Sequence, residues 1–255
     1  MRVLAVGDVV AQSGVDFLRA NLPALKREKN IDFCIVNGEN ASNMGISCRQ
    51  ADTLFDAGAD VITLGNHAWR KEEIFPYMER NRRILRPANF PRRCGRGWGV
   101  YDSPFGPIAV IVLAGRCGMD YTPENPFLEV ERILKQVKTK LVFVEIHAEA
   151  TSEKMAMGRM LDGKVSAVFG THTHVPTADE QIFPRGTGYQ TDLGMSGPKN
   201  GILGMDVTTS CRRFLGEHQP RYAAANGACK LEGCMFTVDT ESGLCTAVER
   251  VYLHD

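Results

Sequence analysis

The sequence lacks the long apolar runs that mark membrane proteins, and we expect no secretory leader. None of its stretches reaches the roughly 18 apolar residues that a membrane helix requires. The segment after Met1 has too short an apolar run for a secretory signal. We therefore expect a cytoplasmic protein that binds no membrane.

The sequence also lacks an excess of charge of either sign. Lys and Arg total 30, Asp and Glu total 30, and the formal net charge is zero. Proteins that hold duplex nucleic acid by releasing counterions are usually basic, so we expect no duplex nucleic acid as a partner. A small nucleotide, or a short strand held at a metal ion, remains compatible with this balance.

Closely spaced pairs of cysteines are absent as well. The chain has eight cysteines but no C-x-x-C pair, which argues against a structural zinc site. A reducing compartment and a chain of 255 residues make stabilising disulfides unnecessary. We expect these cysteines to behave as small buried apolar residues.

Short apolar runs alternate with helical spacing over the first half, which is typical of a mainly parallel sheet covered by helices. No repeat, linker or low-complexity tract divides the chain, so we expect one domain over residues 1–255, an α/β fold with two mixed sheets packed face to face and helices outside. The predicted strands are Arg2–Gly7, Phe33–Asn37, Val61–Leu64, Gly99–Asp102, Ile108–Leu113, Leu141–Ile146, Ala167–Phe169, Lys230–Asp239 and Cys245–Leu253. The predicted helices are Val15–Glu28, Gln50–Ala57, Glu72–Asn81, Glu124–Thr139 and Ser152–Leu161.

Polar residues follow five of these strands at the point where each strand ends. Gly7, Gly38 and Gly65 come directly before three of them, and glycine allows a sharp turn and a close ligand. Sites in open α/β sheets form outside the carboxyl ends of the strands. The polar residues are Asp8, Glu39, Asn66, His147, His172 and His174.

Carboxylates, imidazoles and an amide together suit a divalent ion such as Mn, Fe or Zn. Oxygen ligands alone would favour Mg or Ca, and thiolates would favour structural zinc. Each residue also has an ordinary structural interpretation: Asp8 as a turn or cap residue, and His147 as a hydrogen-bonded core residue. Past its strand the chain can turn, so His172 and His174 could reach two neighbouring ions.

These motifs resemble the calcineurin-like metallophosphoesterases, whose usual pattern is D-x-H, G-D, G-N-H, a single H, and G-H-x-H. Here Val10 replaces the first histidine, Glu39 replaces the second aspartate, and Thr171 separates Gly170 from His172. All three departures resemble the YmdB-like bacterial branch. The octapeptide that begins at His147, HAEATSEK, is the most specific match.

The resemblance implies a four-layer α/β/β/α sandwich, a centre of two metal ions, hydrolysis of phosphodiesters, and self-association. Fe and Mn are the expected ions, with Zn or Mg possible, and the expected substrates are 2′,3′-cyclic or 3′,5′-cyclic nucleotides. A hydroxide between the ions would attack phosphorus while His67 assists the leaving oxygen. One ion would be held by Asp8, Glu39, Asn40 and His174, and the other by Glu39, Asn66, His147 and His172.

Two other functions remain open from the sequence. A binuclear amidohydrolase would use a similar mixture of histidines and acids. A regulator could use the metal ions to hold a nucleotide or RNA while cleaving it slowly or not at all.

Overall fold

The computed structural model describes residues 1–91, 94–121, 123–217 and 223–255. The strands are β1 (Arg2–Val6), β2 (Asp8–Val9), β3 (Phe33–Asn37), β4 (Val61–Thr63), β5 (Ile84–Leu85), β6 (Trp98–Tyr101), β7 (Ile108–Ala114), β8 (Leu141–His147), β9 (Ala167–Thr171), β10 (Gln181–Ile182), β11 (Gly188–Gln190), β12 (Met195–Pro198), β13 (Cys229–Val238) and β14 (Cys245–His254). The helices are α1 (Ala11–Glu28), α2 (Cys48–Asp56), α3 (Ile74–Arg80), α4 (Pro126–Leu134), α5 (Thr151–Leu161) and α6 (Val207–Phe214). None of these helices is both long enough and apolar enough to cross a membrane.

The strands form two mixed sheets. The first has the order β2-β12-β13-β1-β3-β4-β5, with β14 paired to β13, and the second has the order β10-β11-β9-β8-β7-β6. β1, β3, β4 and β5 run parallel, as do β7, β8, β9 and β11. The remaining strands extend or close the sheets by mainly antiparallel pairing, including the hairpin of β13 and β14.

Three apolar layers separate the sheets from each other and from the helices. Val3 and Ala5 of β1 pack between the sheets, whereas Leu4 and Val6 pack against the helices of the first sheet. Successive residues of a strand point to opposite faces, so a strand buried on both faces is apolar throughout. Helices α4 and α5 cover the other face of the second sheet. The result is the expected four-layer α/β/β/α sandwich.

Several element boundaries differ from the predictions. Helix α1 begins at Ala11 rather than Val15, and it includes Gly14, where an added Cβ would meet the Ser196 carbonyl of β12. Helix α4 ends at Leu134, before the predicted Thr139. The Thr139 hydroxyl already donates to the carbonyl of Pro107, the residue before β7, so the chain has turned away from the helix.

Short elements were missed from the sequence. Strands β2, β5 and β10 have two residues each, too few to show a periodic pattern. β11, β12 and α6 were also missed, although Asp206 caps α6 by accepting from Thr209 N at 2.8 Å.

The cysteines only partly follow the expectation. All eight are free, and Cys34, Cys229, Cys234 and Cys245 are buried. The expectation of burial is wrong for Cys117 and Cys211, which are exposed because they lie in a surface loop and in α6.

Candidate metal centre

The structure brings all eight predicted site residues to one edge of the two sheets. That edge holds the carboxyl ends of β1, β3, β4, β8 and β9. Asp8 and His147 are fully buried, and Glu39 is 1% exposed. The first sheet contributes Asp8, Glu39, Asn40, Asn66 and His67, and the second contributes His147, His172 and His174.

One group of donor atoms surrounds His147. Single donor atoms of Glu39, His147 and His172 all lie within 4.8 Å of one another. His147 Nε2 is 3.1 Å from Glu39 Oε1, 2.9 Å from Asn66 Oδ1 and 3.1 Å from His172 Nδ1. This group corresponds to one of the two expected ligand sets.

A second group surrounds His174. Its Nε2 lies 3.8 Å from Asp8 Oδ1 and 3.1 Å from Asn40 Nδ2. Asn40 Nδ2 is also 3.3 Å from Glu39 Oε1, so Glu39 adjoins both groups. Asn40 therefore turns its amide nitrogen, rather than its oxygen, toward Glu39 and His174.

Two features of the protein fit the binding of cations here. Asp8 Oδ1 is buried and has no hydrogen-bond partner, a costly state for a carboxylate oxygen that a bound cation would relieve. At Gly65, an added Cβ would overlap Glu39 Oε2 and the His147 ring, so the glycine leaves room for these two donors to lie close together. The donors are mixed oxygen and nitrogen atoms, as the first-row divalent metals prefer.

Burial and mutual charge perturb the titration of this cluster. Burial raises the pKa of Glu39 but the neighbouring His147 and His67 outweigh it, so the pKa lies below its usual range. Burial opposes the charged form of His147, yet Glu39 raises its pKa to about 9. Burial and the nearby His147 lower the pKa of His172 to about 3. The ring is therefore neutral near pH 7, and one of its two nitrogens carries no proton.

The predicted catalytic histidine, His67, lies beside these groups. Its Nδ1 is 2.9 Å from Asn40 Oδ1 and 3.6 Å from Glu39 Oε1. Burial lowers the pKa of His67, so the ring is mainly neutral near pH 7. His67 therefore touches residues of both groups and can serve as a proton donor or acceptor.

Sequence reasoning missed several residues that hold the site. Glu149 Oε2 lies 3.3 Å from His172 Nε2, a contact between residues that are far apart in the sequence. Buried Lys154, the last residue of the octapeptide, binds Asp192 at 2.6 Å. Glu145 was a detectable signal, since it is a single acid in the otherwise apolar run of β8.

The comparisons with known proteins identify the family. The family model described as "YmdB-like protein" matches residues 4–251. The chain belongs to this family, as the motifs of the sequence indicated.

Similar proteins include phosphoesterases. The chain is 41% identical to a 2′,3′-cyclic-nucleotide 2′-phosphodiesterase of Bacillus subtilis, over 100% of this chain and 98% of that protein. A crystal structure described as a novel phosphatase from Mycoplasma pneumoniae superposes with a TM-score of 0.94 at 30% identity, covering 100% of this chain and 93% of that one. A hypothetical protein from Thermus thermophilus gives a TM-score of 0.93 at 39% identity, with complete coverage of both chains.

Proposed function

We propose that the chain is a metal-dependent phosphodiesterase that acts as one domain over residues 1–255 and hydrolyses cyclic nucleotides at a centre of two ions. The observation that carries this proposal is the pair of adjoining donor groups that share Glu39. Membership of the YmdB-like family and the phosphodiesterase of Bacillus subtilis support the reaction class. Fe or Mn are the ions that we expect.

The protein residues would divide into two ligand sets. Asp8, Glu39, Asn40 and His174 would hold one ion, and Glu39, Asn66, His147 and His172 would hold the other. When bound, two such ions activate water for attack on phosphorus and neutralise charge on the phosphoryl oxygens.

Asn40 connects the ligand sets to His67. The two ends of a side-chain amide exchange by a rotation of 180°, and ligation requires Oδ1 to face Glu39 and His174 in place of Nδ2. That rotation turns Nδ2 toward His67 Nδ1, which then accepts a hydrogen bond instead of donating one. The proton of a neutral His67 would then lie on Nε2, where it can be given to a leaving oxygen.

The substrate class that we favour is the 2′,3′-cyclic nucleotides, ahead of 3′,5′-cyclic nucleotides. The Bacillus subtilis relative, whose name states that activity, supports this order. We expect Mn²⁺-loaded protein to hydrolyse 2′,3′-cyclic AMP and bis-p-nitrophenyl phosphate, and to cleave 3′,5′-cyclic AMP more slowly. Binding of 2′,3′-cyclic AMP without cleavage would favour the nucleotide-binding regulator instead, and cleavage of amides alone would favour an amidohydrolase.

His67→Ala separates metal binding from proton transfer. We expect this variant to keep its metal content and to lose about 10²–10⁴-fold in kcat, the usual contribution of general acid catalysis. The loss in kcat should be much smaller for a substrate such as bis-p-nitrophenyl phosphate, because its leaving group, p-nitrophenolate, needs no proton. Asp8→Ala is the matched control, since it should lose metal as well as activity. Unchanged turnover of 2′,3′-cyclic AMP by metal-loaded His67→Ala would contradict the role of His67.

A further inference from the structure

Glu145 is a fully buried carboxyl group that the proposed reaction does not use. It lies in β8, two residues before His147, and is 0% exposed. Burying an acid inside an apolar strand is costly unless the group is hydrogen-bonded.

Glu145 joins the two sheets through a single oxygen atom. Its Oε1 accepts from Asn37 Nδ2 at 2.6 Å and from the Thr171 hydroxyl at 2.8 Å. Asn37 belongs to β3 of the first sheet, whereas Thr171 belongs to β9 of the second. Each partner is next to, or two residues from, a proposed ligand.

The contact with Thr171 determines which nitrogen of His147 carries a proton. A hydroxyl group has one hydrogen, and Thr171 gives it to Glu145. Thr171 Oγ1 can therefore only accept from His147 Nδ1, which lies 2.8 Å away. With one proton held on Nδ1, Nε2 is the ring nitrogen that faces Glu39 and Asn66, and an ion bound there would take the lone pair of Nε2 in place of a proton.

The contact with Asn37 determines how the Asn37 amide is oriented toward Glu39. Because Asn37 gives its amide hydrogen to Glu145, its Oδ1 faces the other way and accepts from Glu39 N at 3.1 Å. That bond fixes the backbone at the residue proposed to touch both ions.

We infer that Glu145 is a positioning residue that, through Thr171 and Asn37, sets the tautomer of His147 and the placement of Glu39 for metal binding. The inference rests on the proposed two-ion centre. Partners of this kind typically change metal affinity or activity by about 10–100-fold when they are removed.

A matched pair of variants at Thr171 tests the inference. Thr171→Val keeps the shape of the side chain and removes the hydroxyl, whereas Thr171→Ser keeps the hydroxyl. We expect Thr171→Val to bind the ion of the His147 set about 10–100-fold more weakly in a Zn²⁺ titration. Thr171→Ser should stay within about threefold of the unchanged protein. Equal affinities for the two variants would overturn the inference.

A second measurement needs no variant. In the Zn²⁺-loaded protein with ¹⁵N-labelled histidine, we expect NMR to find the His147 proton on Nδ1 and the ion on Nε2. The opposite assignment would overturn the inference even if the protein binds two ions. An unchanged protein that binds no metal would instead contradict the proposed function, so the two failures are distinguishable.

Discussion

At the scale of single residues, Gly65 leaves the space that two proposed ligands occupy. An added Cβ would overlap Glu39 Oε2 and His147 Nε2, which come from different sheets. The glycine is required here by close approach, because these side chains pass directly over its Cα. Gly65, which indicates a turn in the sequence, is therefore also needed to leave room for the proposed metal ligands.

We expect Gly65→Ala to lower the metal content of the purified protein well below two ions per chain, since Glu39 and His147 must move apart. Mass spectrometric metal analysis measures this directly. Gly106→Ala is the control: its Cβ would meet nothing within 4 Å, but its φ of +104° is unfavourable for alanine. That variant should lose stability and keep its metal, and equal metal loss in both would contradict the role of Gly65.

The cysteines provide an independent check on burial. Burial raises the pKa of the Cys34 thiol to about 12, so very little thiolate exists at pH 8. We expect iodoacetamide at pH 8 to modify the exposed Cys117 and Cys211 in the folded protein, and Cys34 only after unfolding. Peptide mass spectrometry locates the labels, and rapid labelling of Cys34 in folded protein would contradict this packing.

At the scale of elements, the segment after β9 is held in an uncommon backbone conformation. His172 has a φ of 100° and His174 a φ of 63°, values that side chains with a Cβ rarely adopt. Between them, Thr173 donates from its backbone N and its hydroxyl to Asp192, at 3.2 and 2.8 Å. Asp192 is in turn bound by the buried Lys154 of α5. This ion pair therefore supports the backbone that presents two proposed ligands.

We expect Thr173→Val to weaken binding of both ions, because His172 and His174 belong to different ligand sets. The expected loss is about tenfold or more for each ion, as for other residues that orient metal ligands. Thr173→Ser keeps the hydroxyl and should bind nearly normally. Calorimetric titration with Mn²⁺ measures both sites, and weakening at one site only would show that the segment does not move as a unit.

The elements also show what the sequence could and could not predict. Long apolar strands such as β8 were found because every residue of the strand is buried. Their polar ends predicted the edge where the site lies, since parallel strands bring their carboxyl ends together. Thr171 and Asn37 were not recognised, because their role depends on contacts between residues 26 and 108 positions apart. The orientation of Asn40 is likewise decided by its neighbours in space.

At the scale of the whole molecule, the proposed ions would join the two sheets. Glu39 and Asp8 belong to the first sheet, whereas His147 and His172 come from the second. Burial raises the pKa of Asp8 even though His174 and His147 act to lower it, so the charged carboxylate is not fully compensated in the metal-free site. Cations would offset this charge and stabilise the packing of the sandwich.

Metal removal should therefore lower the melting temperature. An ion present at about 100 times its Kd adds about 2.7 kcal/mol to the free energy of unfolding. For a chain of this size that corresponds to a rise of roughly 5–10 °C for each ion. Differential scanning calorimetry with and without Mn²⁺ measures the shift, and Asp8→Ala should show a smaller one. A melting temperature that does not respond to metal would contradict a buried centre.

The most direct test counts metal ions and turnover in the same sample. The protein is stripped with a chelator, titrated with Mn²⁺, and assayed at each step for bound metal and for hydrolysis of 2′,3′-cyclic AMP. We expect activity to be absent without metal and to reach its maximum as the second ion binds. Full hydrolysis by metal-free protein, or two bound ions with no hydrolysis of any phosphodiester, would contradict the proposed function.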